Sequence, residues 1–192
     1  MGRPREFDEE EALDRAMKVF WSKGYASTSL DDLLHGIGIA RQSLYGAFGD
    51  KHSLFLKALE RYLDKNARPL RSVLEEAPSV AQALRAIFSA IAEQAVTDKQ
   101  RGCMLVNAIT ELVPGDPEVS TLVEKNHRFL LAAFRMGLER AEEAGELAAG
   151  ADVDELAHYL VAAHQGLRVV ARVDQSRAHL KAIVKSALYF LK

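Results

Sequence analysis

Residues 28–55 read TSLDDLLHGIGIARQSLYGAFGDKHSLF, and this stretch decides the fold. Ser27, Thr28 and Ser29 ahead of Asp31 and Asp32 form a helix start: hydroxyls accept from orphaned amides, and acids meet the positive end of the helix dipole. That helix runs for only about two turns before Gly36, and Gly36-Ile37-Gly38-Ile39 has the composition of a tight turn. A third short helix follows from Ala40 to about Ala47, and Gly49-Asp50 separates it from a longer helix opening at Lys51. Two short helices joined by a glycine turn have the length and turn chemistry of a helix-turn-helix, whose second helix enters the DNA major groove. On spacing alone an ordinary helical corner explains the pattern equally well.

Upstream, Asp8 is placed to cap a first helix that Glu11 supports from its third position, and Phe7 is placed to staple onto Ala12. Leu13, Ala16, Met17 and Phe20 form its apolar face, and it stops at Gly24 after Lys23. Downstream, Leu54, Phe55, Ala58, Leu59, Tyr62 and Leu63 form the buried face of the fourth helix, which Pro69 is expected to kink or end. The same period of about 3.6 residues marks helices over 80–97, 103–112, 118–144, 153–173 and 177–191. The expected fold is all-α with nine helices: a helix-turn-helix unit over 1–50, and a bundle over 51–192 joined to it through the fourth helix without a linker.

Composition narrows the function. With 192 residues, 48% hydrophobic and 27% charged, the chain has ordinary globular usage. No run of about 18 apolar residues occurs and the start lacks a secretory apolar stretch, so a cytoplasmic protein with no membrane partner is expected. One cysteine, Cys103, excludes a disulfide framework and a multi-thiolate zinc site. The net charge of −2 is not that of a general polyanion binder. Residues 1–51 hold seven basic side chains (Arg3, Arg5, Arg15, Lys18, Lys23, Arg41, Lys51) against nine acidic ones, so DNA affinity must rest on local placement.

The stretch quoted above, with GRPREFDEEEALDRAMKVFWSKGY before it, resembles the N-terminal signature of the TetR family of one-component transcriptional regulators. Thr28, Gly38, Ser43-Leu44-Tyr45, Phe48 and Lys51 carry the resemblance, which is specific over residues 2–63 and architectural beyond them. Two positions depart from the pattern: Leu34 stands where a small alanine often packs, and Ala40 where a serine often caps the recognition helix. The resemblance implies a non-enzymatic regulator, a repressor by default, that binds double-stranded operator DNA as a homodimer and answers to a small-molecule effector, with no cofactor.

Roles follow residue by residue. Arg41 and Gln42 lie in the first turn of the recognition helix and suit base edges, Arg to guanine and Gln to adenine. Ser43 and Tyr45 offer hydroxyls, while Leu44 and Phe48 face inward. Lys51 at a helix start suits a phosphate or is a solvated surface lysine. Thr28 caps the second helix, and the resemblance adds a phosphate contact. Arg3 and Arg5 form a basic arm able to follow a backbone or a narrow minor groove, or have no role.

In the bundle, small Ala162 and Gly166, flanked by Leu160, Leu167 and Val170, permit a close helix crossing. Packing within one chain competes with a dimer interface there, and the resemblance favours the dimer. The resemblance also implies a regulatory pocket enclosed by the fourth to eighth helices, for which Asn107, Glu111, Asn126, His127, His164 and Arg168 are candidate polar liners. Cys103 starts a helix beside Arg101 among free amides, a setting in which thiols react. RGCMLV is similar to a segment of electrophile- and oxidant-responsive regulators, the repressor of N-ethylmaleimide reductase among them, so Cys103 is read either as a sensor or as a buried packing residue. A different class is also open: Glu124/His127 and Glu155/His158 are two Glu-x-x-His pairs, as in helical di-metal carboxylate proteins. Chance at this composition suffices to produce both.

Overall fold

The computed structural model describes residues 7–97, 102–174 and 176–192. Among these the chain forms α1 (Glu9–Lys23), α2 (Leu30–Ile37), α3 (Arg41–Phe48), α4 (Lys51–Glu76), α5 (Val80–Thr97), α6 (Met104–Leu112), α7 (Pro117–Glu143), α8 (Val153–Val173) and α9 (Arg177–Ala187). Asp8 caps α1, accepting from the Glu10 and Glu11 amides at 2.8 and 3.0 Å. Phe7 reaches past its own helix to Phe48, with ring centroids 6.4 Å apart.

Three boundaries depart from the sequence expectation, each for a reason outside the local pattern. Helix α2 continues through Gly36 to Ile37, and only Gly38, at φ +78°, turns left-handed to donate to the Leu34 carbonyl. Gly36 serves helix contact rather than the turn: a Cβ there would stand 2.4 Å from Val19 Cγ2. Helix α4 runs through Pro69 to Glu76, and Arg140 of α7 donates to the carbonyls of Leu74, Glu75 and Ala77 at its end. The ring removes one helical hydrogen bond, which tertiary contacts outweigh. The last helix ends at Ala187 instead of 191. Beyond it the Phe190 carbonyl accepts from Ala148, the Lys192 amide donates to Glu146, and Leu147 bridges Leu191.

Two apolar cores result among the described residues. One joins α1, α2, α3, the first half of α4, α6 and Val119 at the start of α7. The other joins the second half of α4 to α5, α7, α8 and α9. Packing continues across residue 50: α6 buries Met104, Leu105 and Ala108 in the first core. Arg61 of α4 braces α1 by pairing with Asp14 at 2.5 Å and with Glu10. That guanidinium, followed by Lys65, holds the Asp14 carboxyl down at about 2.

Candidate nucleic-acid interface and regulatory cavity

Helix α3 is oriented by what it buries. Leu44 and Phe48 enter the first core, which turns Arg41, Gln42, Tyr45 and Gly46 to solvent on one face and leaves Ser43 half-buried. Arg41 opens the helix, and Ala40 ahead of it supplies no side-chain cap, so free amides accompany the guanidinium. Its only ion pair among the described residues, to Asp31 at 3.5 Å, is between two exposed groups and holds it weakly. Lys51 opens α4 with its Nζ 4.5 Å from the Tyr25 ring centre, which fixes the ammonium beside the first turn. Arg3, Arg5 and Arg101 lie outside the described residues.

Thr28 requires correction. Ser29 caps α2, in a reciprocal box with Asp32, while Thr28 is buried and spends its hydroxyl on the Gly24 carbonyl at 2.6 Å. Its amide donates to the Tyr25 carbonyl, so Thr28 does not cap α2. Ser29 was the better cap from sequence, because Asp32 stands three residues on.

The bundle encloses a cavity of about 400 Å³ among α4, α5, α6, α7 and α8. Of the expected polar liners, Asn126, His164 and Arg168 face it together with Cys103, and Tyr62, Asn66 and Gln165, which sequence reasoning missed, join them. A tyrosine on the apolar face of α4 was the available signal, since a buried hydroxyl needs a partner. The Tyr62 hydroxyl donates to Cys103 Sγ at 3.5 Å, and burial, then Cys103, pushes its ionisation well above the usual range.

Three expected liners are elsewhere. His127 is exposed on α7. Asn107 accepts from Arg172 of α8 at 2.8 Å. Glu111 leaves the bundle for the α1–α2 turn, where its carboxylate accepts the amides of Tyr25 and Ala26 at 2.8 and 2.6 Å. A Cβ at position 24 would stand 3.1 Å from that carboxylate, a tight contact, and φ +81° there also favours glycine. Trp21 donates to the Gly102 carbonyl at 2.8 Å, and His52 pairs with Asp116 at 2.6 Å. Helix α6 therefore touches the cavity through its N-cap Cys103 and Leu105 and the DNA-facing unit at Glu111.

Residues 12–58 match the model of bacterial regulatory proteins of the tetR family, and residues 80–187 that of the tetracyclin repressor-like C-terminal domain. The chain belongs to the TetR family. It is similar to the uncharacterized HTH-type transcriptional regulator YezE of Bacillus subtilis (strain 168), 39% identical over the whole of both chains. It is also similar to the HTH-type transcriptional repressor ComR of Escherichia coli (strain K12), 35% identical over 97% of this chain and 90% of ComR. Among solved structures, the TetR-family regulator CifR superposes with a TM-score of 0.85 at 34% identity, covering all of both chains. That structure is a cysteine variant complexed with a 26 bp double-strand operator DNA. This TetR chain is thus a DNA-binding transcriptional regulator, not an enzyme.

In this regulator two of the expected interface residues turn inward. Leu160 and Leu167 are buried in the chain's own bundle, because they share the face of α8 that packs on α5 and α7. Ala162, Gly166 and Val170 are exposed, and Tyr159, Val169 and Val173 extend their stripe. The di-metal reading fails on the same ground: Glu124 and His127 on α7 and Glu155 and His158 on α8 are all exposed. Among the described residues no group of three or more His, Cys, Asp or Glu is placed to hold a metal ion. Nor, among them, is any helix long and apolar enough to cross a membrane.

His164 carries a pH prediction. Sealed between Phe88 and Phe134, with ring centroids at 6.1 and 5.9 Å, it is pushed down to about 3, by burial first and Arg168 second. The folded chain therefore refuses a proton that the unfolded chain accepts below about 6.5, so stability falls as pH drops from there toward 3. This single site contributes a slope approaching about 1.4 kcal/mol per pH unit. Melting curves of wild type and His164→Phe from pH 7.5 to 4.5 should diverge below 6.5, the wild type losing more. Parallel curves would contradict it.

Proposed function

We propose that this protein is a cytoplasmic, homodimeric repressor that binds a palindromic operator through α3 and releases it when the bundle cavity is occupied or Cys103 is modified. The observation that carries the reading is the pairing of an exposed Arg41-Gln42-Tyr45 face with a unit tied by α6 to that cavity. Residues 1–50 act as the DNA-binding domain and 51–192 as the effector-binding and dimerisation domain. Ala162, Gly166 and Val170 line the contact with a second copy: a Cβ at Gly166 meets nothing within 4 Å, leaving room for a close helix approach. Two recognition helices on a two-fold axis read an approximate palindrome, which one helix alone could not specify.

Cys103 serves this reading through position: its thiol lines the cavity, so an electrophile that enters meets it. With N-ethylmaleimide the sulfur adds to the ring double bond and the thiol proton ends on the neighbouring carbon, leaving nothing displaced. The added bulk must displace Tyr62 or the start of α6, which reaches the α1–α2 turn. Genomic fragments selected by the purified protein, with and without N-ethylmaleimide, yield the operator and test release together. Wild type should release the selected fragment and Cys103→Ser should keep it. Equal release by both returns Cys103 to a packing role, and failure to select any fragment overturns the operator-binding reading.

A further inference from the structure

The cavity has a polarity of its own. Leu63, Leu70, Val73, Ile87, Ile91 and Leu130 supply most of its wall, and no acidic side chain lines it among the described residues. Its one charged liner there is Arg168, with no ion pair among the described residues. One helical turn earlier on α8 stands His164, buried, with Nδ1 sealed from water and without a hydrogen-bond partner. His164 departs from the rule for buried polar groups, and the half-buried Arg168 lines the same cavity without an ion pair among the described residues. A half-buried guanidinium without an ion pair, set against an apolar wall, attracts an anion more strongly than one in open water, and its planar fork matches a carboxylate. A neutral imidazole beside it adds a hydrogen bond without adding charge.

Resting on the reading of this cavity as the regulatory site, we infer that its effector is a small monocarboxylic acid with an aliphatic or aromatic body, its head held by Arg168 and His164. The apolar wall takes the body, and the size of the cavity suits a chain of roughly six to ten carbons. A cationic effector is disfavoured by Arg168, and a neutral one leaves its charge unanswered.

Octanoate and octanamide, equal in length and differing in charge, are the probes. Trp21, the chain's single tryptophan, lies edge-on to Tyr62 of the cavity wall with centroids 5.2 Å apart, so its emission reports occupancy. Octanoate should shift that emission saturably, with an affinity about tenfold or more above octanamide. Arg168→Gln should erase the preference, Arg168→Lys should keep part of it, and His164→Phe should weaken octanoate several-fold while sparing octanamide. Equal binding of the two probes, no saturable octanoate response, or a preference that survives Arg168→Gln in a protein with an unchanged melting profile would overturn the assignment. Operator binding by the ligand-free wild type, measured alongside, separates the two levels. Its loss refutes the regulatory reading itself, and intact operator binding without acid preference refutes only the ligand class.

Discussion

Arg41→Ala and Gln42→Ala should each lower operator affinity by about 1–3 kcal/mol, roughly 5- to 150-fold, and should do so selectively, at particular base pairs. Both side chains are exposed in the first turn of α3, and Arg41 is restrained among the described residues only by an exposed pair with Asp31, so it is free to reorient onto a base edge. Lys51→Ala should instead weaken all sequences alike and reduce the salt slope by about one. It also removes the contact with Tyr25, so its melting temperature must be measured beside its affinity. Competition binding against operators changed one base pair at a time decides the matter. If Arg41→Ala weakened every operator equally, its base-reading role would be refuted.

Phe20→Ala should cost about 3–5 kcal/mol of stability and abolish operator binding with it. The ring is essentially fully buried, meets Phe55 of α4 edge-on at 5.1 Å, and stacks near Tyr25 at 6.4 Å. Tyr25 in turn carries the amide that Glu111 holds and the face that Lys51 covers. A void at Phe20 therefore removes the support of the α1–α2 turn, on which α2 and α3 depend for their angle. Glu143→Ala, at an exposed position of the last turn of α7, should leave stability almost unchanged and is the control. Circular dichroism melts together with operator binding check both, and a Phe20→Ala protein that melts with the wild type would contradict this account of the core.

Much of the DNA-facing unit was legible because its signals are local. Asp8, Gly24, Ser29 with Asp32, Gly38 and the alternation of Leu44 and Phe48 with Arg41, Gln42 and Tyr45 each act within about one helical turn. Errors arose where two signals of one kind competed. Thr28 and Ser29 are both cap residues, and the choice between them rests on which hydroxyl finds the Gly24 carbonyl. Gly36 and Gly38 are both turn residues, and only the approach of Val19 shows that Gly36 answers to packing. In the bundle a polar residue on an apolar helix marks burial or contact without naming the neighbour. Glu111 and His164 carry the same sequence signature, yet one clamps a turn and the other lines a cavity.

The amino-acid sequence by itself determined the helical class, most helix starts, the helix-turn-helix and the family, since capping, periodicity and turn chemistry depend on neighbours a few residues apart. Only the tertiary structure decided that α4 passes through Pro69, that α6 joins the first core, and that Leu160 and Leu167 face inward while Ala162, Gly166 and Val170 stay free. It alone also set Arg168 and His164 together against an apolar wall. These outcomes turn on which helix faces meet, a balance of burial and hydrogen bonding between residues tens of positions apart, and no local pattern records that balance.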